Sequence, residues 1–259
     1  MKLAISGKGG VGKSTLAAAL ALIIKERGRT VLTVDADPDA NLAAALGFDL
    51  DEQRNIVPIS KQVELIEERT GAKVDQYGQI FTLNPEVSDI AEKYASVKHG
   101  VPLLVLGAVK RGGGGCACPE NVLLRALVAD LILFKDQTLI MDMEAGIEHL
   151  GRATTSDVDT MLIVVEPGIR SLEGARRIKE MGEEIGLERF AVVANKVQDE
   201  EDRAFISESL PEIEILEFVP FTNELRHADR PGVSVLDGAG PELRSTFVSI
   251  LDKLDSNSA

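Results

Sequence analysis

The sequence predicts an α/β fold, in which a mostly parallel sheet carries helices on both faces. Short apolar segments with the length of buried strands alternate with longer segments rich in helix-forming residues along the 259-residue chain. Apolar residues make up 44 % of the sequence and charged residues 27 %, proportions that are typical of globular proteins. No linker rich in proline or serine interrupts the alternation, so we expect a single domain over residues 1–259.

The first strand, loop and helix identify the site around which this domain is built. Residues 2–6 are mostly apolar, and the residues after the loop are mostly good helix formers. Between them, Gly7 is followed by four residues and then by Gly12, Lys13 and Ser14, which completes a phosphate-loop motif. Glycines let such a loop curl around an anion with its N–H groups pointing inward. The sequence therefore predicts a single P-loop NTPase domain, and the flanking strand and helix disfavour a chance match.

The motif assigns chemical roles to its polar side chains. Lys13 is placed to reach the outer phosphates, and the Ser14 hydroxyl is placed to bind Mg²⁺. The helix that follows adds free N–H groups at its N-terminus. We predict that the loop binds the nucleotide through Gly7, Lys8, Gly9, Gly10, Val11, Gly12, Lys13, Ser14 and Thr15.

Lys8 gives the loop a second lysine, directly after the first glycine. The arrangement resembles the deviant Walker A loop of the ATPase group that includes the nitrogenase iron protein and the septum-site ATPases. The resemblance implies that the chain hydrolyses ATP with Mg²⁺ and that Lys13 and Lys8 are catalytic. It also implies that Lys8 crosses a dimer interface to the partner's ATP. The alternative is that Lys8 is a solvated loop lysine.

A second buried strand, over residues 30–35, ends in a carboxylate, and an Ala-rich helix then runs through Leu46. Acidic residues at the carboxyl end of a strand beside the phosphate loop lie where α/β sheets place their ligands. The resemblance implies that Asp37, the aspartate before the proline, orients the attacking water. The alternative is that Asp37 and Asp39 cap the helix, and both roles can hold together.

Two cysteines follow a run of four glycines in the middle of the chain. Residues 48–100 predict only a mixture of edge strands, helix and loops, whereas residues 101–108 predict a buried strand. Cys116 and Cys118 come next, before a helix over residues 121–134. Cysteines separated by one residue do not easily form a disulfide with each other, but their thiolates can share a metal. Two copies on a twofold axis would supply the four ligands of a tetrahedral site, and the alternative is a pair of unligated thiols.

The next apolar strand, over residues 138–142, has the form of a Walker B segment because it ends in Asp142. We expect Asp142 to hold the Mg²⁺ shell through water. Residues 143–152 take the position of switch II. We interpret His149 within them as a structural hydrogen-bonding residue rather than a metal ligand.

The remaining elements continue the alternation to the end of the chain. We expect buried strands over residues 159–165 and 189–195, with a charged helix over 171–186 between them, a last strand over 214–220 and a closing helix over 241–254. The resemblance implies that Asn195, with Lys196 beside it, takes the adenine edge, and that Pro220 and Phe221 form the purine-contacting loop. The alternative for Asn195 is an ordinary strand-end turn.

Within the ATPase group the chain most resembles the carbon monoxide dehydrogenase accessory ATPases (CooC-type), which serve nickel insertion. The residues that carry this resemblance are the Cys-Ala-Cys motif at 116–118 and the stretch 142–151. The resemblance implies a homodimer that ATP favours and a divalent metal, Ni²⁺ or Zn²⁺, bound by Cys116 and Cys118 at the interface. It also implies a client metalloenzyme, carbon monoxide dehydrogenase.

Two alternatives of other classes stay open. A partition or septum-positioning ATPase needs a basic DNA face or a basic membrane helix, whereas the last helix has only Arg244 and Lys253 as cations. An iron–sulfur reductase component takes its cluster cysteines from distant positions in the chain. The net charge of −14 argues against nucleic acid and anionic membranes as partners. Because the first strand starts at once and no apolar run approaches about 18 residues, we expect a cytoplasmic protein.

Overall fold

The computed structural model describes residues 1–74, 76, 78–108, 118–133, 137–144, 157–224 and 232–256. Within these residues, eight strands form one sheet in the order β3-β4-β2-β5-β1-β6-β7-β8. All neighbouring pairs are parallel except β3 and β4, which are antiparallel. The strands are β1 Lys2–Gly7, β2 Val31–Ala36, β3 Ser96–Lys98, β4 Val101–Val105, β5 Thr138–Met143, β6 Thr160–Val165, β7 Phe190–Val197 and β8 Glu214–Pro220.

The helices lie on both faces of this sheet, and the predicted α/β fold class is therefore confirmed. They are α1 Lys13–Glu26, α2 Leu42–Ala45, α3 Leu50–Asn55, α4 Val63–Thr70, α5 Ile90–Tyr94, α6 Pro119–Leu133, α7 Ile169–Ile185, α8 Glu200–Ser209, α9 Val235–Gly238 and α10 Pro241–Ser256. One apolar cluster contains buried residues of α1 and α10, and the other contains those of α4, α6 and α7. The central strands are buried on both faces, which explains their continuous apolar sequences.

The strand order places the phosphate loop at the point where the chain changes direction across the sheet. β1 lies between β5 and β6; β2 to β5 occupy one side of it and β6 to β8 the other. In parallel α/β sheets, ligands bind outside the carboxyl ends of the strands at such a point. The loop after β1 and the residues that end β2, β5, β6 and β7 therefore come together there.

Several elements differ from the expectations at their ends. α2 begins only at Leu42, and β4 ends at Val105 rather than at residue 108. α8 was not predicted, because only Ile206 of its residues is buried and no apolar period marks it. α3 was also missed, although its cap has a sequence signature: Asp49 and Glu52 form a capping box.

Two residues with predicted roles lie outside the described residues. Cys116 and His149 fall in the stretches 109–117 and 145–156, which the structure does not describe. Among the described helices, none combines the length and the apolarity that crossing a bilayer requires.

Candidate nucleotide-binding site

The phosphate loop has the backbone conformation that its glycines allow. Gly10 and Gly12 have φ angles of 81° and 101°, in the left-handed region that other residues rarely adopt. At Gly7, where β1 ends, a Cβ atom would lie 2.4 Å from the carbonyl oxygen of Val164. The loop therefore turns tightly against β6 and delivers the N-terminus of α1, which begins at Lys13, to the carboxyl end of the sheet.

Lys13 meets the first acidic loop directly. Its side chain is only 6 % exposed, and its Nζ lies 3.3 Å from Oδ2 of Asp37. The other oxygen of Asp37 accepts a hydrogen bond from the backbone N–H of Asp39 at 3.0 Å. The predicted phosphate-binding lysine and the predicted water-orienting carboxylate are thus in contact. Lys8 is exposed.

The alternative interpretation, that Asp37 and Asp39 cap the following helix, is wrong. The N-cap position of α2 is Asn41, whose side chain makes no capping hydrogen bond. The carboxylate that receives the backbone N–H of Leu42, at 3.0 Å, is Asp35. Asp35 also accepts from the backbone N–H of Asp37 at 3.2 Å, so it holds the loop that carries Asp37. Sequence reasoning gave Asp35 no such role, because the contact spans a turn whose shape the residue types do not specify.

Two buried carboxylates face each other across neighbouring strands at this end of the sheet. Asp35 of β2 and Asp142 of β5 are paired in register, and both are 0 % exposed. Burial raises the pKa of Asp142 to about 7 and the pKa of Asp35 to about 6. The negative charges of Asp35 and Asp37 raise the pKa of Asp142 further, and the positive charge of Lys13 lowers it.

The oxygens of Asp142 have the character of cation ligands. Neither has a hydrogen-bond partner of good geometry, although the Ser14 hydroxyl lies close enough to lower the pKa of this carboxyl group. Buried carboxylate oxygens without partners are costly unless a cation or a donor satisfies them. A hard cation such as Mg²⁺ prefers such oxygen ligands. Ser14 and Asp142, the two residues predicted to hold Mg²⁺, therefore fit it.

Asn195 and Lys196 lie against the backbone of the phosphate loop. The side-chain amide of Asn195 donates to the carbonyl of Val11 at 2.8 Å, and Nζ of Lys196 donates to the carbonyl of Gly10 at 2.7 Å. Lys196 also forms an ion pair of 2.8 Å with Glu166, a residue that sequence reasoning did not single out. Their predicted contact with adenine stays a prediction.

The predicted purine-contacting residues lie one strand further out. Pro220 ends β8 opposite Val197, and the backbone N–H of Phe221 donates to the carbonyl of Val197 at 2.9 Å. The Phe221 side chain is 52 % exposed. Val197 follows Asn195 by two residues, so the exposed ring of Phe221 belongs to a residue that is hydrogen-bonded to the end of β7. Its contact with the base stays a prediction.

Cys118 lies just before α6 and is half-buried. Burial raises the pKa of its thiol. Its predicted partner Cys116 lies outside the described residues. Within the described ranges, no group of three or more His, Cys, Asp and Glu side chains is arranged to hold a metal ion. Shared ligation by the two cysteines therefore stays a prediction.

The phosphate loop, the buried lysine and the carboxylates at the ends of the neighbouring strands are those of a P-loop ATPase. Residues 2–235 match the profile of the CobQ/CobB/MinD/ParA nucleotide-binding domain family (CbiA), and the chain belongs to this family. Its membership confirms the resemblance that the two-lysine loop predicts, and with it the prediction that the chain is an ATPase.

Relatives match along nearly their whole length. The chain is 43 % identical over 256 residues to an uncharacterised ATP-binding protein of Methanocaldococcus jannaschii, covering 97 % of this chain and 98 % of that protein. It is 41 % identical over 237 residues to the carbon monoxide dehydrogenase accessory protein CooC of Rhodospirillum rubrum, covering 92 % and 90 %. The predicted resemblance to that type of ATPase is confirmed.

Solved structures share the fold at low identity. The cell division protein MinD of Aquifex aeolicus has a TM-score of 0.69 at 22 % identity, over 99 % of this chain and 98 % of that one. The septum site-determining protein MinD of Pyrococcus horikoshii, complexed with Mg-ADP, has a TM-score of 0.65 at 19 % identity, over 98 % and 96 %. These likenesses establish the fold.

Proposed function

We propose that the chain is an ATP-driven accessory protein that assists nickel insertion into carbon monoxide dehydrogenase. The observation that carries this proposal is the similarity to CooC of Rhodospirillum rubrum, 41 % identity over 92 % of the chain. The Cys-Ala-Cys motif at residues 116–118 supports it, because thiolates bind soft divalent metals such as nickel and zinc. Nickel is the cargo of the reaction, and ATP hydrolysis drives its transfer.

The ATP chemistry that we propose uses the residues gathered at the carboxyl end of the sheet. The loop N–H groups and Lys13 hold the phosphates, and Ser14 and Asp142 hold Mg²⁺, the latter through water. When bound, Mg²⁺ neutralises charge on the β- and γ-phosphates. A phosphate that reaches Lys13 replaces Asp37 as its counterion, since the two lie 3.3 Å apart in the structure. Asp37 is then available to accept a proton from, and so orient, the attacking water.

Nucleotide and dimerisation are linked in this proposal through Lys8. If Lys8 binds ATP across the interface, two subunits bind ATP better than one, and ATP must favour the dimer by the same coupling free energy. We expect Lys8→Ala to lower the dimer fraction in sedimentation experiments with a non-hydrolysed ATP analogue. Because Lys8 is exposed, its replacement should leave the fold intact.

The matched control for Lys8 is Lys253→Ala, which removes a lysine of α10 that contacts β8 and not the phosphate loop. Its dimer fraction should equal that of the wild type. Equal dimer fractions in the wild type and Lys8→Ala would leave Lys8 as a solvated loop lysine.

The metal prediction follows from counting ligands. One chain has two cysteine thiolates, whereas a closed tetrahedral site has four ligands. Two copies of the motif in a twofold dimer supply all four. We expect one Ni²⁺ or Zn²⁺ per dimer, with strongly weakened binding in Cys116→Ser and in Cys118→Ser, measured by metal analysis after gel filtration. ATP hydrolysis should survive both changes, because the phosphate chemistry lies on other loops. One metal per monomer, undiminished in both variants, contradicts the shared site.

The function itself is tested on the proposed client with the same variants. Nickel-free carbon monoxide dehydrogenase is incubated with Ni²⁺, ATP and the protein, and its activity is then measured. We expect activation by the wild type only with ATP, and little activation by Cys118→Ser. Activation no greater than with Ni²⁺ and ATP alone contradicts the proposal. A visible absorption band of an iron–sulfur cluster in the purified protein would instead favour the reductase class.

A further inference from the structure

Two successive carbonyl groups of the phosphate loop are held by two successive side chains from the end of β7. The Gly10 carbonyl accepts from Nζ of Lys196 at 2.7 Å, and the Val11 carbonyl accepts from Nδ2 of Asn195 at 2.8 Å. These contacts join residues 184 or more positions apart in the chain. They link the strand that ends in Asn195 and Lys196 directly to the loop that binds phosphate.

Fixing a carbonyl group also fixes the amide that follows it. A trans peptide is planar, and its C=O and N–H bonds point in opposite directions. The contact of Lys196 with Gly10 therefore sets the direction of the Val11 N–H, and that of Asn195 with Val11 sets the direction of the Gly12 N–H. Amides of this loop are the groups that cradle phosphate in the motif. The Val11 N–H donates to the carbonyl of Lys8 at 3.4 Å, so the contact of Lys196 with Gly10 holds the turn from Lys8 to Val11, and the contact of Asn195 with Val11 directs the Gly12 N–H away from β7.

The backbone of Lys196 is itself held in an unusual conformation. Its φ angle is 59°, in the left-handed region that costs free energy for a residue other than glycine. Two contacts hold it there: Oδ1 of Asn195 accepts from the Lys196 N–H at 2.9 Å, and Glu166 pairs with its Nζ at 2.8 Å. Glu166 directly follows β6, so the ends of β6 and β7 together aim this lysine at the loop.

There is no space between Asn195 and the loop for another arrangement. A Cβ atom on Gly12 would lie 2.3 Å from Nδ2 of Asn195. Asn195 is buried, so its amide packs directly under the loop backbone. The loop, Asn195 and Lys196 therefore form one packed unit.

We propose that Lys196 is a positioning residue for the phosphate loop, oriented by Glu166, and that it acts on the phosphates through Gly10 rather than by contacting the base. Asn195 supports the same loop through Val11. The proposal concerns the ATPase site alone and does not depend on the nickel function. It predicts that loss of the Lys196 side chain weakens the binding of phosphates whether or not a base is attached.

The test compares ATP with inorganic tripolyphosphate, which has the phosphates and no base, by isothermal titration calorimetry with Mg²⁺. We expect Lys196→Met to weaken both ligands by the same factor, about tenfold, as for the loss of a charge-assisted hydrogen bond. Glu166→Gln should weaken both by a smaller common factor, because Lys196 keeps its contact with Gly10. Lys196→Arg should restore most of the affinity for both ligands, since a cationic donor is retained.

The matched control is Lys253→Met. Nζ of Lys253 also donates to one backbone carbonyl, that of Leu216, and pairs with one carboxylate, Glu217, but on β8. It should leave both affinities unchanged, with a melting temperature lowered about as much as that of Lys196→Met. A weakened affinity for ATP with an unchanged affinity for tripolyphosphate in Lys196→Met would show contact with the base and overturn the proposal. Unchanged affinity for both ligands would overturn it as well.

Discussion

Replacing Lys13 by alanine should lower ATP turnover by roughly 10²–10³-fold, because it removes a preorganised positive charge from the transferring phosphoryl group. The structure makes the loss severe, since Lys13 is only 6 % exposed and its charge lies in a setting with little screening by water. The measurement is steady-state hydrolysis of Mg-ATP at saturating nucleotide. Client activation should fail in the same variant if hydrolysis drives nickel transfer.

The control for Lys13→Ala separates the lost charge from a damaged fold. Lys13 is the counterion of Asp37, so its removal leaves Asp37 and the buried pair Asp35 and Asp142 with less positive charge nearby. Asp37→Ala combined with Lys13→Ala removes that imbalance, and the double variant should fold while staying inactive. Turnover in Lys13→Ala within twofold of the wild type would contradict the assigned role.

Replacing Asp37 by alanine should slow hydrolysis by roughly 10²-fold, the usual size of a lost general-base or water-orienting contribution. ATP binding should be retained, and the structure gives a reason for it to become tighter. Asp37 forms an ion pair of 3.3 Å with Lys13, so any phosphate must replace this carboxylate as the partner of the lysine. Single-turnover hydrolysis and titration with a non-hydrolysed analogue measure the two effects separately.

Asp39→Ala is the matched control for Asp37→Ala, because it removes an exposed carboxylate two residues away on the same loop. Its side chain does not pair with Lys13, so both binding and hydrolysis should stay close to those of the wild type. A loss of ATP binding in Asp37→Ala without a separate defect in hydrolysis would mean that Asp37 shapes the loop rather than orients water.

The elements that were predictable from the sequence are those whose environment is uniform. β5 and β6 are buried along their whole length, so their apolar runs identify them. α3 and α8 give no such signal, because no residue of α3 and only Ile206 of α8 is buried. The β3–β4 hairpin turns on His99 and Gly100, which both have positive φ, and a histidine in such a turn is an uncommon choice.

In the site as well, the residues that act through local contacts could be predicted, and those that act through long-range contacts could not. Lys13 and Ser14 could be assigned from spacing, because the motif is continuous in the chain. The residue that caps α2 was not identified, because the carboxylate that accepts from its first N–H group is Asp35 at the end of β2 and not a residue next to the helix. Glu166 was missed because its role depends on β6 and β7 being neighbours in the sheet. A single sequence does not specify the order of the strands.

The facing carboxyl groups of Asp35 and Asp142, at the proposed cation site, also bind protons. Their pKa values in the folded chain, about 6 and about 7, are above the ordinary value of 3.8. The folded state therefore holds protons that the unfolded chain releases, and its stability falls as the pH rises from about 4 to about 7. If Asp142 holds a divalent cation as proposed, the cation competes with these protons, and its binding near neutral pH releases protons into the solvent. We therefore expect the affinity of the ATPase for this cation to fall as the pH falls.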